Sequence, residues 1–164
     1  MALAMMKKVL LLVVAIFVSF VLYLQLKDKL SATTYDWGLE KGLPKPYVPA
    51  DNPMTKEKVR LGRFLFYDKA LSGNSSQSCA SCHVQGNAFA EERVVSIGST
   101  GDMHRRNSPG LINIAYNKTL TWAHDGLTDI ELQVLLPMFG EEPIELGITG
   151  HEELVLSRLK RETY

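Results

Sequence analysis

The sequence predicts a mainly α-helical domain behind an apolar N-terminal helix, on three observations. Residues 9–26 read VLLLVVAIFVSFVLYLQL without a charge. Two downstream stretches open with helix-capping patterns. No segment alternates apolar and polar residues as a half-buried strand would. One domain is the natural count for 164 residues. Outside residues 1–30 there are 14 basic and 17 acidic side chains, a mildly acidic balance with no electrostatic footprint for nucleic acid. Collagen-like, coiled-coil and disordered compositions are excluded, and two cysteines are too few for a disulfide scaffold.

Residues 1–30 form a targeting segment, either a signal anchor or a signal peptide. A cleaved signal has an apolar stretch of about 7–15 residues and a small-residue cleavage site. Here the run is longer, and the one small-residue site, Ser31-Ala32, follows Leu30 and lies beyond Lys27-Asp28-Lys29. A bilayer-spanning helix needs about 17–25 apolar residues, which favours an uncleaved anchor at residues 9–26. Two lysines flank each side, so basic residues leave the orientation open.

Residues 31–54, with Pro44, Pro46 and Pro49, form an extended lead-in. Residues 55–164 form the domain. Thr55 opens a helical pattern in which Leu61, Phe64, Leu65 and Phe66 crowd one face. The polar loop Ser72-Gly73-Asn74-Ser75-Ser76 leads into CASCH at 79–83, with Gly86 as a stop. Residues 84–109 have little periodicity, and loops of that length are usually functional or disordered. Thr128-Asp129-Ile130-Glu131 fits a capping box, with Leu127 and Leu132 as its staple. That helix runs to about Phe139, stopped by Gly140, with Pro137 distorting its last turn. Thr149-Gly150-His151-Glu152 is a second box, ahead of Leu154, Val155, Leu156 and Leu159.

Cys79-Ala80-Ser81-Cys82-His83 carries the chemistry. The cysteines, one helical turn apart, can each form a thioether to a haem vinyl group, and the adjacent histidine then supplies an axial iron ligand. A redox dithiol would want a βαβ context. Sequential Cys82 and His83 are poorly placed to share a tetrahedral zinc, and a disulfide would close a very small loop for little gain. The motif thus implies one covalent haem c per chain. Haem c is attached outside the cytoplasm, which places residues 31–164 in the periplasm.

Candidate sixth ligands are His104, His124, His151, Met54, Met103 and Met138, with Met138 or His104 the leading alternatives. A lone Met near a helix end is more often packing. An Fe–Met bond would raise the potential and close the site to peroxide, whereas an open position would admit peroxide chemistry.

Beyond the motif, LGRFLFYDKALSGNSSQSCASCHVQGNAFAE (61–91), RNSPGLINIAYNKTLTWAHDG (106–126) and ELQVLLPMFGEEPIELG (131–147) resemble the N-terminal haem domain of the bacterial di-haem cytochrome c peroxidase/MauG family. Together with VPADNPMT, the resemblance covers about residues 35–160. TWA and PMFGEEPIELG are most similar to a MauG-like subgroup that oxidises protein partners. The resemblance implies a cytochrome c-like fold and a peroxidase-type oxidoreductase. Hydrogen peroxide is then the substrate, and the partner is a donor cytochrome, a copper protein or a protein substrate.

By position, the resemblance makes Cys79 and Cys82 the thioether residues and His83 the proximal ligand. Asn107 becomes a calcium ligand and Trp122 an electron relay. Gln133, Pro137 and Glu145 become residues of the peroxide side, with Glu145 positioning or deprotonating peroxide. The peroxidases proper ligate this haem through a histidine eight residues before the Asn. Here that position is Ser99, which resembles the open, MauG-like form; His104 could serve only with a rearranged loop. His124, after the Trp motif, is expected to be exposed, as is His151 in a first helical turn. The family carries a second CxxCH domain, so this chain with one CxxCH is either a piece of a longer protein, the favoured expectation, or a one-haem derivative that needs a separate donor. A membrane-anchored mono-haem electron carrier is the alternative reading.

Overall fold

A computed structural model describes residues 2–31, 33–122, 125–162 and 164; Ala32 and His124 lie outside the described residues. Helix α1 (Ala2–Ser31) contains the apolar run. Its span Met6–Lys27 is 22 residues, about 33 Å at the α-helical rise, against a hydrocarbon core of roughly 30 Å. From Leu10 to Leu26 its large apolar side chains are exposed.

The regular elements of the remaining chain are all helical, and no extended strand occurs among the described residues, only isolated bridges. Helix α2 (Lys56–Tyr67) opens where the sequence predicts, with the Thr55 hydroxyl accepting from Lys58 N at 3.2 Å. Its predicted apolar face is narrower than expected. Leu61 and Phe64 are each 44% exposed, while Phe66 lines the central cavity and meets the Phe89 ring edge-on at 5.9 Å. The lead-in is irregular but tethered: Lys56 N donates to Thr33 O at 2.9 Å and Tyr116 OH to Pro44 O at 3.0 Å.

Helix α3 (Cys79–Cys82) is a single turn, started by Ser78 N donating to Ser81 Oγ at 3.0 Å. His83 N closes it on Cys79 O at 2.9 Å. The stop therefore comes at His83, not Gly86, which lies in a 3₁₀ turn over Gln85–Asn87.

Helix α4 (Ile130–Phe139) ends before Gly140 as expected, and Pro137 sits in its last turn. Its cap is Asp129, one residue later than the predicted box. The Asp129 carboxylate accepts from both Glu131 N (2.8 Å) and Leu132 N (3.1 Å), satisfying two of the free N–H groups that every helix start leaves. Helix α5 (Glu152–Leu159) begins after His151 rather than Thr149. The Thr149 hydroxyl is drawn away, donating to Phe139 O at 3.1 Å.

Between α4 and α5, residues 144–148 form an irregular strip that ties the domain together through backbone hydrogen bonds. Leu146 N and Ile148 N donate to Pro137 O (2.9 Å) and Met138 O (3.0 Å), while Gly73 N and Ser99 N donate back to Leu146 O (2.8 Å) and Glu145 O (2.7 Å). This approach requires glycine: a Cβ at Gly98 would overlap the Ile144 carbonyl, and one at Gly73 the Gly147 carbonyl. The core is small. Leu146, Ile148 and Val155 are buried, with Leu71, Met138 and Leu159 packed against them.

Candidate functional site

The segments on either side of the core enclose a cavity of about 1140 Å³. Cys79, Cys82, His83, His104, Asn107, Trp122, Gln133, Pro137, Met138 and Glu145 all line it, so one space gathers every leading candidate. Of the remaining candidates, Met103 lines it but is 70% exposed, and Met54 is not among the lining residues. His151 is an exposed cap whose Nδ1 lies 3.2 Å from Thr149 O.

His83 is held by backbone alone. Its Nδ1 lies 2.9 Å from Phe89 O and 3.1 Å from Pro109 O. Carbonyl oxygens only accept, so Nδ1 carries the proton and Nε2 keeps its lone pair for a metal. Placing Phe89 O there takes two consecutive non-glycine residues in the left-handed region, Ala88 (φ 55°) and Phe89 (φ 57°). Such residues cost of order 1 kcal/mol or more each. Glycine would have marked this turn in the sequence; alanine and phenylalanine do not.

Behind Pro109 lies a polar cluster that sequence reasoning missed. Glu91, with its side chain 4% exposed, accepts from Ser96 Oγ and from Ser108 N at 3.4 Å. The Ser96 and Ser108 hydroxyls are 3.0 Å apart. An acidic residue followed five positions later by serine is no motif, so no sequence signal could have found it.

Burial pushes both cysteine thiols up from their ordinary range; the negative charges of Glu145 at Cys79, and of Glu91 and Glu145 at Cys82, push the same way. A redox dithiol needs the reverse, a lowered thiol pKa. The pair suits attachment rather than exchange. Haem fits the residues: two unpaired cysteines and a histidine presenting Nε2 share one cavity of about 1140 Å³.

The strip and α4 supply the other polar groups. Glu145 stands 3.6 Å (Oε1) from Nδ1 of His104. Burial raises the Glu145 carboxyl above its usual range, while His104 and His83 pull it back down. Nε2 of His104 is buried without a partner among the described residues. No rearranged loop is needed to bring His104 to the cavity. Ser99, in contrast, is tied to the strip through its backbone and is not a lining residue. Gln133 and Pro137 project from α4 into the same space, and Met138 divides its contacts between cavity and core.

Trp122 is 49% exposed, unlike a core tryptophan. Its Nε1–H donates to Asn107 O at 2.9 Å, and the Arg106 guanidinium lies 5.2 Å over its ring, within cation–π range. Thr121 directly before it has φ 61°, strained for a β-branched residue. Among the described residues, no three His, Cys, Asp or Glu side chains cluster as a metal site, at Asn107 or elsewhere.

Residues 56–164 match the family model for di-haem cytochrome c peroxidase. The chain is 45% identical over 118 residues to the cytochrome-c peroxidase IdrP1 of Denitromonas iodatirespirans, covering 72% of this chain and 30% of that protein. It is 31% identical over 115 residues to the methylamine utilization protein MauG of Methylophilus methylotrophus, covering 70% and 32%. The crystal structure of a MauG-like protein associated with microbial copper homeostasis matches at TM-score 0.76 and 46% identity, over 79% of this chain and 37% of that one. The chain thus spans about a third of the length of these relatives.

Proposed function

The chain belongs to the di-haem cytochrome c peroxidase family, and on that premise we propose that it is the peroxide-handling haem c domain of a MauG-type oxidoreductase. One observation carries the reading: His83 keeps Nε2 free through two carbonyls on Nδ1, in the same cavity as Glu145, Gln133 and His104. The family's chemistry is haem-based oxidation and reduction. Cys79 and Cys82 would hold the haem through thioethers and His83 through the iron; Pro137, which has no N–H to donate, would face the ring. When bound, the haem iron supplies the electrons that reduce peroxide.

The chain's own groups manage protons. Peroxide reduction consumes two electrons and two protons and yields two waters. The Glu145 carboxylate takes the proton from one peroxide oxygen and returns it to the departing one, a task that favours a carboxyl pKa nearer neutrality. The Gln133 amide orients the peroxide, and His104 faces the Glu145 carboxylate at 3.6 Å. Trp122, half-exposed at the cavity wall, relays electrons from a small cytochrome, a copper protein or an oxidisable protein substrate. Calcium at Asn107 belongs to the same proposal; no step is derived through it, since no cluster of three ligating His, Cys, Asp or Glu side chains occurs among the described residues. Residues 9–26 anchor the domain on the periplasmic side of the inner membrane.

A second reading has its own support. The partnerless Nε2 of His104 suits a sixth iron ligand, which would make the protein a mono-haem electron carrier; Met138 is the other candidate. The ferric spectrum of the full chain separates the two. A high-spin haem that reacts with hydrogen peroxide supports the peroxidase reading. A low-spin spectrum indifferent to peroxide, turned high-spin by His104→Ala or Met138→Ala, supports the carrier. Cys79→Ala should leave one thioether; haem still held through two would overturn the attachment.

A further inference from the structure

Glu91 is a buried carboxylate used by none of the steps above. It does not line the cavity that holds Glu145, Gln133 and His104, and it joins His83 through the Ser108–Pro109 backbone. Its Oε2 accepts from Ser96 Oγ and Ser108 N, and its own N donates to Ser108 O at 3.3 Å. The next residue, Pro109, carries the carbonyl that receives His83 Nδ1–H. The one cation near Glu91 among the described residues is Arg93, whose Nη1 is 3.9 Å from Oε1 and whose side chain is 59% exposed. Surrounded by donors alone, Glu91 is an acceptor-only carboxylate. Its charge is poorly screened at that depth and is felt at Cys82.

We propose that Glu91 is a positioning residue that lowers the reduction potential of the iron held by His83. It pins the Ser108–Pro109 backbone against Nδ1–H and keeps a negative charge behind it. Hydrogen bonding at the outer nitrogen of a ligating histidine raises its basicity, and a buried negative charge favours the oxidised, more positive iron. Both effects act in one direction. The inference rests on the reading of His83 as the haem ligand.

The test is redox titration of the haem-loaded full chain. Glu91→Gln keeps an acceptor oxygen for Ser96 and Ser108 but removes the charge. The reduced-to-oxidised ratio at fixed ambient potential should rise five- to tenfold, a tenfold change being about 59 mV for one electron. An unchanged potential in a folded Glu91→Gln protein with an unaltered ferric spectrum overturns the inference. Should Glu91→Gln not fold, Ser96→Ala decides: stripping one donor leaves the charge less neutralised, so the potential must fall. A rise or no change there indicates a brace without an electrostatic role. Failure of the underlying reading looks different, since a wild-type chain without haem on Cys79 and Cys82 removes the premise before any potential is read.

Discussion

His83 and His104 line the same cavity, yet they are held in opposite ways. His83 is fixed by two backbone carbonyls on Nδ1, so its tautomer follows from main-chain geometry. His104 faces a single carboxylate at 3.6 Å, beyond hydrogen-bond length, and its Nε2 has no partner among the described residues. A backbone cradle keeps one imidazole orientation through most side-chain changes. A side-chain pair can be re-aimed or removed by one substitution. The first arrangement suits a permanent ligand; the second suits groups that take up and release protons or shift to meet a bound molecule.

The largest expected effect that sharpens this contrast is at Glu145. Glu145→Gln removes the proposed proton acceptor but leaves the His83 cradle untouched. Peroxide turnover should fall by roughly 10² or more, with the ferric spectrum changed little. Undiminished turnover would break the assignment of chemistry to the His104–Glu145 side.

Next is Gly98→Ala, where the new Cβ would overlap the Ile144 carbonyl. The strip carrying Glu145 must then move, which should destabilise the domain by roughly 1–3 kcal/mol in urea unfolding. The His83 cradle does not include Gly98, so the haem spectrum should persist. Loss of both together would mean that the two regions fold as one. Asp129→Ala is milder: losing the cap of α4, which carries Gln133, should cost about 1 kcal/mol.

The smallest effect is an alkaline control remote from both histidines. Burial, with Asp68 accepting from its hydroxyl and adding a negative charge, pushes Tyr164 up to about 12 from an ordinary value of 10.0. A folded-state pKa above the unfolded one gives stability that is complete below about pH 10 and lost as pH rises through about 12. Tyr164→Phe should flatten that alkaline dependence in thermal melts, with a small amplitude because the contact lies near the surface.

Much of this architecture is legible in short stretches of chain. The uncharged run of α1, the Thr55 cap and the Gly140 stop follow from local chemistry, and the structure has them where the sequence predicts. The caps of α4 and α5 lie one and two residues later than their boxes suggest. In the first, a carboxylate takes two backbone donors. In the second, Thr149 is claimed by the end of α4 through a contact that only folding creates. Leu61 and Phe64 have the right spacing for a buried face, but periodicity does not say which part of a face meets a neighbour.

The sequence by itself carries the proposed attachment chemistry, because two thiols and an imidazole within five residues need no distant partner to suggest it. It also determined the membrane-length helix, since length and the absence of charge are additive along a segment. Tertiary structure alone decided which carbonyls orient His83, that His104 meets Glu145, and that Glu91 lies buried behind Pro109. Those contacts join residues 6 to 41 positions apart, through loops held by left-handed alanine and phenylalanine and by glycines at close approaches. Such pairings depend on where the backbone crosses itself, which no local pattern of side chains encodes.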